Sequence, residues 1–233
     1  MKGLLLSITL FAAALNTSSD DWKKDRPVSG FTGLSVSNGI VVYLTQGNAE
    51  KLTLEAKGVD EDQVISEIRN GTLRLYIERK GFGGWAWGRN TSVKAYLTFR
   101  QLQTIRAGGG ANVFGQGRLS FNDLSLEASG GSNMQLDFKA HDLSASASGG
   151  ADARLQGSAR MFNANGSGGS NLDARKLTVE SCNASSSGGS NVYVNAQNEL
   201  RMKASGGSDI YYYGSASVVA RSESGGSDII RKN

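Results

Sequence analysis

The chain has 233 residues, including 31 Gly, one Pro and one Cys, and its 25 Lys and Arg against 21 Asp and Glu give a formal net charge of +4. A single Cys excludes an internal disulfide framework. The basic residues are scattered, without a cluster or an aromatic-interleaved basic stripe, which argues against nucleic acid as a partner.

The N-terminus has the pattern of an export signal. A Met-Lys start precedes an apolar stretch over residues 3–15, and a polar run follows. This predicts a signal peptide and short leader over residues 1–19 and an exported chain, either periplasmic, cell-surface or secreted. A short N-terminal core helix is the alternative. The stretch is too short to span a bilayer and no later one qualifies, so we expect no transmembrane segment in the mature chain.

Residues 28–106 alternate strand-like runs with turn dipeptides such as Asn38-Gly39 and Asn70-Gly71. The strand-like runs are 34–36, 40–45, 52–56, 73–78 and 93–99. Residues 60–68 are predicted to be a short helix. We expect one domain over residues 20–233, in which 28–106 are less regular strands that continue into the repeats. An independent N-terminal domain is the alternative.

A Gly-rich segment over residues 81–90 holds Phe82, Trp85 and Trp87. Aromatic rings on a loop stack on sugars or grip a partner protein, so these three are candidate ligand-binding residues. The other interpretation is a strand edge or plug that covers one end of the core.

The C-terminal half, residues 107–233, repeats a Ser-Gly-Gly-Ser turn followed by Asn or Asp, with Ala151 in place of the last Ser in one unit and a degenerate Gly-Gly-Gly-Ala first copy at 108–111. The first Gly of the central pair stands at 109, 130, 149, 168, 188, 206 and 225, so the steps are 18 to 21 residues long. A fixed period near 19 residues is typical of a solenoid, in which each rung buries its apolar side only by stacking on its neighbours.

Each repeat predicts a strand, a bend and a second strand. Apolar residues alternate with polar ones on both sides of the Gly pair, and the two glycines of each unit disfavour a helix. Because the same residue class recurs at the same phase, a parallel coil is favoured over antiparallel hairpins, with rungs about 4.8 Å apart. Cys182 lies at an inward phase, which predicts a buried thiol.

The Ser and Asn or Asp positions of the repeat have two interpretations. Polar side chains beside a Gly turn bond the local backbone and stack as ladders, which is the favoured interpretation. The other is a cation site at Asp209 and Asp228, which would be vertical neighbours and could share a calcium ion. No other cofactor is predicted.

Three consecutive tyrosines lie near the C-terminus. The alternation places Tyr212 inward and Tyr211 and Tyr213 outward, where they could continue an aromatic surface with Tyr193. The chain stops at Asn233, soon after the last Gly pair, without an evident polar capping unit. An uncapped solenoid end invites pairing, so homo-oligomers through the ends are expected as one outcome.

Catalytic chemistry has few candidates. Glycoside cleavage needs paired carboxylates, and Asp137, Asp152, Asp173 and Glu180 look like ordinary outward charges on strands. The sole His, His141, lies in a polar corner. We expect no enzyme activity.

Several stretches resemble a known family. Residues 31–47, 70–75 and 93–97, together with the Ser-Gly-Gly-Ser-Asn turns, are similar to the putative auto-transporter adhesin family, whose head GIN domain is named for a Gly-Ile-Asn motif. Here the order is Asn38-Gly39-Ile40, and no Cys follows the leader as in lipoprotein members. The resemblance covers residues 28–233. It implies an exported bacterial protein, of a kind frequent in Bacteroidetes, with a right-handed β-helix-like fold and no catalytic residues.

The sequence therefore predicts an all-β, right-handed parallel β-helix-like solenoid with rungs of about 19 residues. The predicted function is a non-catalytic extracytoplasmic binding or adhesion protein, which displays contacts for a surface glycan or protein on a rigid scaffold. The alternatives are a self-assembling structural component of the envelope and a carbohydrate-active enzyme.

Overall fold

The structure, a computed structural model, describes residues 21–78 and 91–233. The predicted signal peptide and the segment with Phe82, Trp85 and Trp87 lie outside these residues. Within the described part, no helix is long and apolar enough to cross a membrane.

The predicted fold class is confirmed: stacked parallel strands form a β-solenoid of about seven turns with rungs of about 19 residues. The described residues contain 18 strands, which are β1 (Trp22–Arg26), β2 (Gly33–Val36), β3 (Val41–Gln46), β4 (Lys51–Lys57), β5 (Val64–Arg69), β6 (Thr72–Ile77), β7 (Ser92–Phe99), β8 (Thr104–Ala107), β9 (Asn112–Ser120), β10 (Asp123–Ala128), β11 (Asn133–Lys139), β12 (Asp142–Ala147), β13 (Asp152–Gly166), β14 (Asn171–Gly188), β15 (Asn191–Gly206), β16 (Asp209–Tyr213), β17 (Ser217–Gly225) and β18 (Asp228–Arg231).

The rungs have two faces joined by the Gly corner. Face A is formed by the strands before the corner, namely β6, β2, β8, β10, β12, the second halves of β13, β14 and β15, and β17. Face B is formed by the strands after it, namely β7, β3, β9, β11, the first halves of β13, β14 and β15, β16 and β18. Because β13, β14 and β15 each run from face B into face A of the next rung, the chain coils continuously.

The alternating apolar residues fill a core between the two faces. Leu124, Leu126 and Ala128 of β10 are buried and stack in register on Leu143, Ala145 and Ala147 of β12. The same phases are buried in the rungs above, up to Leu200, Met202 and Ala204 of β15. Cys182 is buried as predicted, and burial raises the pKa of its thiol to about 12.

The first Gly of each corner has two reasons to be Gly. Gly188 has a φ of 73°, and a Cβ there would lie 3.1 Å from the backbone nitrogen of Gly168 in the rung below. Gly206 repeats this, with φ 78° and 3.2 Å to the nitrogen of Gly188. Corner backbones therefore stack too closely for a side chain, in a conformation that L residues avoid.

The corner column extends below the recognisable repeats. A Cβ on Gly109 would meet the backbone nitrogen of Asn38 at 3.4 Å, and the N–H of Gly39 donates to the carbonyl of Gly109. Both Asn38 and Gly39 have positive φ, 58° and 74°. Among the described residues, the Asn38-Gly39 turn is thus the lowest corner of the column, with Asn as one of the few side-chain residues that tolerate this conformation.

The serines of the corners bond the local backbone, which confirms the favoured interpretation. Ser132 Oγ accepts from the N–H of Ser129 at 2.9 Å and donates to the carbonyl of Ala107 at 3.0 Å. The equivalent Ser170 and Ser190 are fully buried and make similar bonds. Buried hydroxyls are therefore paired, as burial without a partner would destabilise the fold.

The N-terminal end departs from a simple coil. The rung of β2 and β3 lies between the rung of β6 and β7 and that of β8 and β9. Antiparallel strands close this end, with β5 on β6, and with β4 on β7 and β1 on β4. After the outermost strand β1, the chain forms the second rung with β2 and β3, then β4, β5 and the first rung, and then passes to the third. The outermost strand β1 is charged, which protects an edge from pairing.

The predicted helix over residues 60–68 is wrong. Only Glu61–Gln63 forms a 3₁₀ turn, and Val64–Arg69 is strand β5. β-Branched residues such as Val64, Ile65 and Ile68 fit a pleated surface. Pairing with β6 supplies backbone hydrogen bonds along the strand, whereas a nine-residue helix leaves the N–H and C=O groups of its end turns without intrahelical partners.

The last rung differs from the expectation of an end without a polar cap. A register shift in β17 places Arg221 beside buried Met202 and Glu223 beside buried Ala204, at the inward phase. Arg221 forms an ion pair with Glu223 and also donates to the carbonyl of Ile229 in β18 at 3.0 Å. These two charged side chains, the end pair, extend over the top of the core, where inward charge opposes further stacking.

Candidate binding surface

One outward row runs along the whole of face B, and we call it the axial row. Its residues stack in register in the order Asp25, Thr53, Tyr96, Tyr43, Phe114, Gln135, Arg154, Asp173, Tyr193, Tyr211 and Ile230. Aromatic residues occupy two parts of the row, separated by three polar residues. Because Phe114 and Tyr193 are four rungs apart, these parts lie about 19 Å from each other.

The upper part is a four-membered stack. The rings of Tyr193 and Tyr211 stack with centroids 4.7 Å apart and an interplanar angle of 14°. The Arg175 guanidinium lies 4.4 Å from the ring centroid of Tyr193, and Lys232 Nζ lies 5.1 Å from that of Tyr211. The two rings therefore cover each other on one face and a cation on the other.

The other predicted residues of this region lie around the stack. Tyr213 stands beside Asn195 in the next outward row, half-buried. Asp209 and Asp228 are register neighbours, as predicted. The Asp209 carboxylate accepts from the Tyr211 hydroxyl at 2.9 Å and from the N–H of Asp228 at 3.2 Å. The bond to Asp209 raises the pKa of Tyr211. Both oxygens of Asp209 thus have protein donors, and a calcium ion at this pair stays a prediction.

The lower part is an aromatic stack that the sequence analysis missed. Tyr43 stacks on Tyr96 with centroids 5.3 Å apart and on Phe114 at 5.9 Å. Tyr96 is 37% exposed, one of the most exposed large hydrophobic residues described. Alternation marks all three as outward, but their contact depends on β3 lying between β7 and β9, out of chain order.

A polar cleft of about 140 Å³ separates the two stacks, and we call it the bulge cleft. It is lined by Gln135, Arg154, Leu155, Gln156, Asp173, Arg175 and Lys176. Arg154 pairs with Asp173 but Gln156 pairs with Lys176, so β14 contains one extra residue here. Such a bulge turns a side chain away from its regular direction.

The bulge fixes the position of Arg175. Its Nε donates to Asp173 Oδ1 at 2.8 Å, and its backbone N–H donates to the same oxygen at 3.2 Å. The hydrogen bond to Asp173 raises the pKa of Arg175. The cleft is therefore basic, with three cationic side chains against one carboxylate.

Three of the four carboxylates considered for catalysis, Asp137, Asp152 and Asp173, have basic or amide partners. Asp137 accepts from Arg118 and Gln156, and Asp152 lies 3.5 Å from Arg154. Glu180 is exposed on β14. These contacts are those of outward charges on a sheet surface.

One group of metal-ligating side chains is found in the described part of the chain, formed by Asp123, His141 and Asp142. Arg160 donates to His141 Nε2 at 3.0 Å and to Asp142 at 2.8 Å. The Arg160 guanidinium thus bonds both His141 and Asp142, as in a surface hydrogen-bond network. A metal ion at this group would have to displace the guanidinium.

The sequence matches one family model. The model described as "Putative auto-transporter adhesin, head GIN domain" aligns with residues 30–216, most of the chain. No curated protein matches the sequence of this chain.

Several solved structures share the fold. A putative adhesin from Bacteroides fragilis has a TM-score of 0.82 at 22% identity, with 92% of this chain and 98% of that one covered. A putative adhesin from Parabacteroides distasonis has a TM-score of 0.71 at 15% identity, covering 91% and 97%. A protein from the same organism described as a putative lipid binding protein has a TM-score of 0.67 at 16% identity, covering 92% and 97%.

Proposed function

Because the chain belongs to the putative auto-transporter adhesin family with a head GIN domain, we propose that it is an exported, non-catalytic adhesion protein. The family and two of the structural neighbours are described as putative adhesins, which supports a binding role. The axial row is the observation that identifies which surface of the protein makes the proposed contact. It displays two aromatic stacks and a basic cleft on one flat face of the solenoid.

The mechanism is rigid display. The rungs are held by continuous parallel pairing from β9 to β18, so contacts at both ends of the axial row keep a fixed separation. A ligand that spans the row meets pre-ordered side chains and loses little affinity to ordering of the protein. The segment with Phe82, Trp85 and Trp87, which connects β6 to β7, is a further proposed contact.

The test is a binding screen of the purified chain on an array of glycans and extracellular matrix proteins, with and without calcium. We expect a specific signal that falls about tenfold or more in a Tyr43→Ser/Tyr193→Ser variant, because aromatic anchors dominate binding energy. Asn163→Ala/Asn183→Ala, two exposed positions on face A, is the matched control and should leave the signal intact.

The same screen with a Trp85→Ala/Trp87→Ala variant tests the segment between β6 and β7. A weaker signal would support a contact by these residues, and an unchanged signal would exclude it. A well-folded protein without any signal on the array would contradict the adhesion proposal.

Self-assembly through the solenoid ends is the second candidate. Strand β17 is exposed along its length, and Val219 is 50% exposed. This exposed edge is the observation that favours association of copies of the chain. The end pair, Arg221 and Glu223, opposes such association.

A further inference from the structure

The bulge cleft has chemistry that the adhesion proposal does not use. Among its lining side chains, Arg154, Arg175 and Lys176 are basic and Asp173 alone is acidic. Asp173 is committed to Arg175, which leaves the charges of Arg154 and Lys176 less compensated. Arg154 has a weak contact with Asp152 at 3.5 Å, and no carboxylate partner of Lys176 is found in the described part of the chain.

The neighbours of the cleft suit a sugar polymer. Gln135 and Gln156 supply amide groups for hydroxyls, and the upper stack adjoins the cleft through Arg175, which lies against the Tyr193 ring. On the other side, Phe114 at the end of the lower stack is half-buried and is the register neighbour of Gln135. The three features lie on one straight row, so an extended chain can contact all of them at once.

We infer that face B binds a linear acidic polysaccharide, laid along the solenoid axis with an anionic group of the sugar in the bulge cleft. Arg154 and Lys176 meet the carboxylate or sulfate, and the tyrosines and Gln side chains contact the sugar rings and hydroxyls. The inference rests on the proposed function and adds the ligand class to it. The β14 bulge supports it, since bulges are frequent beside functional sites and this one fixes Arg175 between the cleft and the upper stack.

The test measures binding of the full chain to four polymers by biolayer interferometry at low and high NaCl. Polygalacturonate supplies carboxylates, dextran sulfate supplies sulfates, dextran is the neutral sugar, and polyglutamate is an acidic polymer without sugar. We expect binding to polygalacturonate or dextran sulfate that weakens as NaCl is raised, with weaker binding to dextran and polyglutamate. The preferred acidic polymer identifies the anion.

Arg154→Gln/Lys176→Gln should weaken this binding about fivefold to tenfold, as expected for the loss of two exposed charge contacts. The matched control Arg201→Gln/Lys203→Gln removes the same charge from face A, where Arg201 pairs with Glu199 at 2.5 Å, and should bind like the wild type. Thermal unfolding establishes that both variants fold.

Equal losses in the two variants, or equal binding of polyglutamate, would overturn the inference because net charge alone would explain the binding. If dextran binds as tightly as the acidic sugars, the inference is also wrong. In that case, a signal on neutral glycans or proteins in the array screen would still support the adhesion proposal. An array without any signal would contradict both the adhesion proposal and the inference about acidic polysaccharides.

Discussion

At the scale of single residues, the upper corners from Gly168 onward require Gly at the first position and merely accept it at the second, whereas Gly110, Gly131 and Gly150 also have positive φ. Gly188 has positive φ and a stacked backbone neighbour at 3.1 Å, whereas a Cβ on Gly189 would only touch the Gly168 carbonyl oxygen at 3.6 Å. The adjacent pair therefore provides its own control.

We predict that Gly188→Ala lowers the free energy of unfolding by about 2 kcal/mol, because a left-handed backbone costs an L residue about 1–2 kcal/mol before any contact is counted. Gly189→Ala should change it by less than about 1 kcal/mol. Urea denaturation followed by circular dichroism measures both values. Equal destabilisation by the two variants would contradict the stacked-corner explanation.

The buried thiol gives a second prediction. The pKa of Cys182 is raised to about 12 by burial, so at neutral pH the thiol is protonated and inaccessible. Ellman's reagent should not react with the native protein and should react with one thiol per chain in denaturant. Rapid reaction under native conditions would show that the core around Cys182 opens or packs differently.

At the scale of elements, the serine corners hold the two faces together. Ser190 Oγ accepts from the N–H of Ser187, donates to its carbonyl, and lies 2.8 Å from Ser186 Oγ. We predict that Ser190→Ala lowers the free energy of unfolding by about 1–3 kcal/mol, because the N–H and carbonyl of Ser187 lose their hydrogen bonds to a fully buried hydroxyl. Ser185→Ala, exposed on face A, should be neutral in the same denaturation experiment. A neutral Ser190→Ala would mean that the ladder does not stabilise the corner.

The elements also show how far sequence patterns reach. Alternation and the Gly period predict the strands from β10 onward, the inward residues and the buried Cys182, since each rung repeats the same local choices. The rung order at the N-terminal end is not predictable in this way, because β6 and β7 stack below β2 and β3 despite following them. The stack of Tyr43 on Tyr96 and Phe114 depends on that order.

The bulge cleft was missed for a related reason. The step from Gly168 to Gly188 is one residue longer than the preceding step from Gly149 to Gly168. That extra residue is the only signal of the bulge in the sequence. Its position in β14, beside Arg175, follows from the pairing with β13 and not from the spacing.

At the scale of the whole molecule, the two ends decide whether copies stack. The lower end is closed by antiparallel β1, β4 and β5, and the upper end carries Arg221 and Glu223 over the core. We predict that Arg221→Leu/Glu223→Leu promotes association, because it turns an inward charged pair into apolar surface on an unpaired edge. Sedimentation velocity over a range of concentrations measures this. Self-association of the wild type, unchanged in the variant, would contradict the role of the end pair.

The central claim is that face B makes the contact with the ligand, and site-specific blocking tests it most directly. Since Cys182 is buried, single cysteines introduced by Gln135→Cys on face B and Ser144→Cys on face A can be coupled separately to a bulky polyethylene glycol maleimide. Each coupled protein is then measured on the array of glycans and matrix proteins. The account predicts that the polymer on face B abolishes binding while the polymer on face A leaves it unchanged. Loss of binding from face A alone would contradict it.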